Sequence, residues 1–199
     1  MRKIIFLIYV CLIVLNWSKA WSLIEVDITR GNLNPLPIAV SPLSVDQNSK
    51  EKFKDLLKLE DIGVEISKVV ENNLRQSGLF NPLDPKAFLQ KPDIAHVKPR
   101  FEDWSLIKAQ ALITGEVKIV DEKLRVEFRL WDILAGKEIM ALAFTTVSEN
   151  WRRVGHIITD KVYQRLTGEK GYFDTRIIYV AEEGLKTSRI KKLAIMDQD

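Results

Sequence analysis

His96 and His156 are the only histidines in this chain, and their placement decides how much acid–base chemistry the sequence supports. Proton transfer and nucleophilic catalysis need positioned groups of matched acidity. His96 sits in a proline-rich stretch, far along the chain from His156. His156 and Asp160 stand four residues apart, a spacing that puts two metal ligands on one helix face. No third ligand is near them in the sequence, so the pair reads more simply as an exposed helix contact. The turn from Gly168 to Gly171 lacks the G-x-x-x-x-G-K-[ST] pattern and closes a helix where a phosphate loop would open one. It reads as a helix stop and domain junction. No serine elbow of the G-x-S-x-G type occurs. The pairs Asp103–Trp104 and Trp131–Asp132 are single occurrences at unequal spacing, read as core aromatics beside turn acids rather than propeller repeats. The expectation is a protein without catalytic residues, cofactor or metal.

The start of the chain carries an export signal. Arg2 and Lys3 precede a twelve-residue apolar run, Ile4 to Leu15, and Ser18, Lys19 and Ala20 place small residues where a signal peptidase reads. A membrane anchor needs roughly 20 apolar residues, and Asn16, Ser18 and Lys19 interrupt this run. Cleavage near Ala20 would remove the sole cysteine, Cys11, leaving no thiol for a disulfide, a metal or catalysis. The whole chain of 199 residues carries 30 Lys plus Arg against 27 Asp plus Glu. Loss of Arg2, Lys3 and Lys19 leaves 27 basic against 27 acidic residues. A neutral exported chain lacks the basic excess that neutralises nucleic-acid phosphates. The short clusters Arg152–Arg153 and Arg189, Lys191, Lys192 read as solvated faces.

Periodicity then places the elements. Ile24, Val26 and Ile28 alternate with Glu25, Asp27 and Thr29, the period of a half-buried strand, which Gly31, Asn32, Asn34 and Pro35 break. Ile38 to Val40 is a short strand, and Pro42 to Lys50 reads as a loop. A helix is predicted over Asp61 to Ser77, with Ile62, Ile66, Val69, Val70 and Leu74 on one side and Gly78 as its stop. Phe80 to Leu83 is a short strand, Pro82 to Pro99 mostly loop, and Phe101 to Ala109 a short helix. A three-stranded meander follows over Leu112–Val120, Leu124–Trp131 and Glu138–Val147. In its middle strand Leu124, Val126, Phe128 and Leu130 alternate with Arg125, Glu127 and Arg129. A helix from Asn150 to Thr167 offers Trp151, Val154, Ile158, Val162 and Leu166 to the sheet. Arg176 to Ala181 and Arg189 to Met196 form a final hairpin, and two strands alone are marginal in water. The expectation is the first part of a longer reading frame.

The blocks Pro37–Pro42 (PIAVSP), Leu74–Asp84 (LRQSGLFNPLD), Ala111–Gly115 (ALITG), Val126–Asp132 (VEFRLWD) and Asn150–Asp199 (NWRRVGHIITDKVYQRLTGEKGYFDTRIIYVAEEG, then RIKKLAIMDQD) stand in the order they take in the TolB family. From about Leu23 to its end the chain resembles that family. The resemblance implies a signal peptide over 1–20, a small α/β domain with a mixed sheet over 21–170, and over 171–199 the incomplete start of a six-bladed β-propeller. It implies a non-enzymatic periplasmic component of the Tol-Pal envelope system. Such a protein links inner-membrane TolA to the outer-membrane lipoprotein Pal and supports envelope integrity and constriction at division. Pal would dock on the propeller. The matching recognition segment is Leu23, Ile24, Glu25, Val26, Asp27, Ile28 and Thr29, which would engage the TolA C-terminal domain by strand addition. Read by pattern alone, Ile24 to Thr29 is more simply the first strand of the domain's own sheet, and it is the resemblance that makes it a detachable recognition strand. A competing functional class is an exported hydrolase or peptidase whose propeller guards a catalytic domain outside this sequence.

Overall fold

The computed structural model describes residues 24, 34–57, 61–185 and 187–197. The expected export signal and, except for Ile24, the expected recognition segment lie outside the described residues. Strands β1 (Leu36–Val40), β2 (Ser44–Val45), β3 (Phe80–Pro82), β4 (Ala111–Val120), β5 (Lys123–Asp132) and β6 (Lys137–Thr146) form one mixed sheet. Its order is β3-β1-β4-β5-β6, with β2 also paired to β4. The pairings among β1, β2, β3 and β4 are parallel, and β4, β5 and β6 form the antiparallel meander. The mixed α/β class read from the sequence is therefore the observed one.

Helices α1 (Gln47–Leu57) and α2 (Ile62–Gln76) lie between β2 and β3, and α3 (Pro92–Val97) and α4 (Phe101–Leu106) between β3 and β4. Helix α5 (Trp151–Thr167) follows the meander. Helices α2 and α5 contribute to the main core: Ile62, Ile66, Val70 and Leu74 from α2 and Val154, Ile158, Val162 and Leu166 from α5 meet Ile113, Val117, Leu124, Val126, Phe128 and Leu130 of the sheet. A second cluster of Ala39, Ala95, Trp104, Ala109, Leu112, Trp131 and Ile133 ties α3 and α4 to β1, β4 and β5.

Local signals explain most of these elements. Asp61 caps α2 by accepting from Gly63 N at 2.9 Å and Val64 N at 3.2 Å, satisfying two of the orphan donors of the first turn. Gly78, at φ +71°, takes the left-handed conformation just past its last turn. Gly63 is required by proximity, since a Cβ there would overlap the Leu43 carbonyl oxygen. In β5 every second residue from Leu124 to Leu130 is fully buried, as the alternation required, and Phe128 stacks on Phe144 at 6.0 Å. Strand β6 carries a bulge at Ile139, between the pairs Leu130–Met140 and Trp131–Glu138, where Arg165 Nε donates to the Ile139 carbonyl at 3.2 Å.

Two expected loops are corrected. Pro42 to Lys50 holds β2 and the start of α1, because Ser44 and Val45 pair with Glu116 and Val117 of β4. At the start of α1 the Asp46 carbonyl accepts from Ser49 N at 3.0 Å and its carboxylate from Ser49 Oγ at 3.0 Å. Within Pro82 to Pro99, Pro85 starts a short 3₁₀ turn and Pro92 starts α3. Proline at a first helical position loses only an N–H that the helix does not use.

The register of β5 sets a direct test. Phe128→Ala should cost about 3–5 kcal/mol, the range for a fully buried aromatic. Arg129→Ala should cost less than about 1 kcal/mol, because the Arg129–Glu138 pair at 3.5 Å is partly exposed on the opposite face. Urea melts of the two variants check this, and equal losses would mean that the strand faces are inverted.

Candidate functional site

The groups that the sequence offered for chemistry are occupied by structure. His156 is buried, not exposed as its helical spacing suggested, with Nδ1 2.9 Å from Asn73 Nδ2 on α2. The same Asn73 amide donates to Thr159 Oγ1 at 3.2 Å. Asp160 turns the other way and accepts from Phe173 N at 2.7 Å and Asp174 N at 3.2 Å. The i,i+4 pair is thus split between a helix–helix contact and a chain junction. Among the described residues no group of three or more His, Cys, Asp or Glu side chains is placed to hold a metal. Gly168, at φ +77°, ends α5 as read from the sequence.

His96, on α3, lies over the outer face of the meander with Nε2 4.0 Å from Glu116 Oε2. Burial pushes its imidazole below its ordinary value, and the nearby Glu116 carboxylate offsets only part of that. The same face carries a charge ladder in which Glu127 accepts from Arg125 at 2.8 Å and pairs with Lys118 at 2.9 Å. These hydrogen bonds, Arg125 first, hold its carboxyl down to about 2. Arg189, Lys191 and Lys192 pair with Glu182 and Glu183 across the terminal hairpin, and Arg153 pairs with Asp174. Trp104 and Trp131 are core aromatics whose indole N–H groups donate to Gln90 Oε1 and Thr114 Oγ1.

Ile24, from the segment expected to be a recognition strand, meets the domain at a buried carboxylate. Of Leu23, Ile24, Glu25, Val26, Asp27, Ile28 and Thr29, only Ile24 is among the described residues. Its half-buried side chain packs against the main core cluster, and its main-chain N–H donates to Asp132 Oδ2 at 3.2 Å. Asp132 ends β5, is fully buried, and accepts from Ala135 N at 2.8 Å through Oδ1. Each oxygen therefore has a main-chain donor, which a buried carboxylate needs. Asp132 is the residue that sequence reasoning missed. The turn bond to Ala135 matches its reading as a turn acid, but nothing local marks a partner 108 residues away.

Comparison with known proteins follows the same outline. The family model of the TolB amino-terminal domain matches residues 24–139. The Tol-Pal system protein TolB of Pelagibacter ubique (strain HTCC1062) is 82% identical over 181 residues, covering 91% of this chain and 41% of that protein. The chain thus spans about two fifths of the length of this relative. The crystal structure of TolB from Acinetobacter baumannii superposes with a TM-score of 0.64 at 22% identity, over 89% of this chain and 39% of that one. That likeness is one of fold.

Asp132→Ala should destabilise the protein by about 1–3 kcal/mol, because it strands two part-buried main-chain donors, Ile24 N and Ala135 N. It should also speed amide exchange at Ile24 and Ala135 while leaving the α2 and α5 amides protected. Unchanged exchange at Ile24 would show that the carboxylate does not hold the segment.

Proposed function

The chain belongs to the TolB family, and on that footing we propose that it is the amino-terminal part of a periplasmic component of the Tol-Pal envelope system. In this reading residues 1–20 are the cleaved export signal, 21–170 the α/β domain, and 171–199 the first strands of a β-propeller. The protein links inner-membrane TolA to the outer-membrane lipoprotein Pal and so supports envelope integrity and constriction at division. It acts by binding, not by catalysis. Pal docks mainly on the propeller, and Leu23 to Thr29 engages the C-terminal domain of TolA by adding a strand to its sheet.

The observation that carries this reading is how Ile24 is held. Strand addition draws affinity from main-chain hydrogen bonds and specificity from alternate side chains. The one described main-chain donor of the segment is taken by a side-chain carboxylate and not by a strand of the domain's own sheet. A single bond to a carboxylate contributes about 1.5–3 kcal/mol, which several main-chain bonds to another sheet edge can offset. The alternation of Ile24, Val26 and Ile28 supplies the apolar face, and Gly31, Asn32, Asn34 and Pro35 supply a hinge before β1.

Deleting Trp21 to Arg30 should leave the domain folded and abolish binding to the TolA C-terminal domain. A thermal melt paired with calorimetric titration measures both. Unfolding on deletion would make the segment an integral strand, and unchanged binding would remove its recognition role.

A further inference from the structure

Strands β7 (Arg176–Glu183) and β8 (Ile190–Asp197) pair only with each other, as a separate two-stranded sheet. Ile177, Ile178, Tyr179 and Val180 of β7 are exposed, as are Leu193 and Ile195 of β8. Successive side chains of a strand point to opposite faces, so neither face of the hairpin is buried in the domain core. The short connection from α5, residues 168–175, joins it to the domain.

That connection is built as a fixed support. Asp160, on α5, spans two successive main-chain donors, with Oδ1 accepting from Phe173 N at 2.7 Å and Oδ2 from Asp174 N at 3.2 Å. Seven residues earlier on the same helix face, Arg153 grips the Asp174 carboxylate with Nε at 2.9 Å and Nη2 at 3.1 Å. Phe173 is buried in the main core, edge-on to Tyr163 at 5.7 Å and stacked with Tyr172 at 4.4 Å. Gly171 passes so close to α5 that an added Cβ would collide with the Asp160 carboxylate and stand 2.7 Å from its Cβ. A flexible linker needs none of these features.

We propose that Asp160 is a positioning residue that makes Gly171 to Asp174 a rigid strut, so that the β7–β8 hairpin moves as one body with α5. The carboxylate fixes two consecutive peptide planes, the buried Phe173 ring prevents their rotation, and β7 begins two residues after Asp174, at Arg176. A hairpin held this way keeps a constant angle to the domain. The inference holds whichever partner the N-terminal segment takes.

Nitrogen-15 relaxation and amide exchange on the full chain test it. In the unaltered protein, hairpin amides such as Tyr179 and Leu193 should share one rotational correlation time with α5 amides such as Ile158 and Val162. Asp160→Ala should accelerate exchange at Phe173 and Asp174 at least about tenfold, the equivalent of one lost hydrogen bond. It should also lower the correlation time of the hairpin below that of α5. Arg153→Ala removes only an exposed ion pair and should leave the hairpin coupled. Independent tumbling of the hairpin in the unaltered protein, or continued coupling in Asp160→Ala, would overturn the proposal. So would loss of α5 protection in that variant, which would make Asp160 merely a stability residue.

Discussion

Helices α2 and α5 share a close contact, and that constraint organises the rest of the molecule. The contact is pared to backbone at Gly155, where a Cβ would stand 2.8 Å from Val69 Cγ1. Such proximity brings Asn73, His156 and Thr159 into one buried polar group, and buried polar atoms require partners of this kind. With the helix pair fixed, its apolar stripes join a core with β1, β4 and β5, and α5 also meets the chain that follows through Asp160. The sheet and the terminal junction are both built on the placement of one helix.

Aspartates recur as the means by which this chain secures its irregular backbone. Asp61 takes two N–H groups at the start of α2, Asp84 one at the 3₁₀ turn, Asp132 one from Ala135 and one from Ile24, and Asp160 two at the junction. Hydrogen bonds from main-chain amides to a charged acceptor are stronger than neutral ones and need no matching cation. The surface ion pairs of the meander are a different class, screened by solvent and individually weak. In the proposed reading the recognition strand is held at Asp132, at the end of β5, while Asp160 holds the terminal junction to α5.

The sequence made legible those parts whose cause is local. Leu124, Val126, Phe128 and Leu130 announce β5 because a half-buried strand must alternate, and α2 is bounded by Asp61 and Gly78 for reasons within one turn of each end. Helix α1 was not legible because its first half, Gln47 to Lys52, is polar and its apolar residues Phe53, Leu56 and Leu57 all fall in its second half, too short a stretch to show a period. Pro92 looked like a breaker although it opens α3. His156 looked exposed because its spacing to Asp160 reports only on its own helix, whereas its partner Asn73 is 83 residues away. The alternation of the recognition segment could be read directly. Its attachment could not, since Asp132 shows its second role only after the meander brings the end of β5 beside Ile24.

The account stands most directly on what happens to that attachment when a partner binds. Titrating the isotope-labelled chain with the TolA C-terminal domain and following backbone amide shifts measures it. The account predicts large changes confined to Ile24 through Thr29, together with Asp132 and Ala135, as the Ile24 amide leaves the carboxylate for a new strand. Changes centred on β6 or on the β7–β8 hairpin, with Ile24 and Asp132 unmoved, would contradict it.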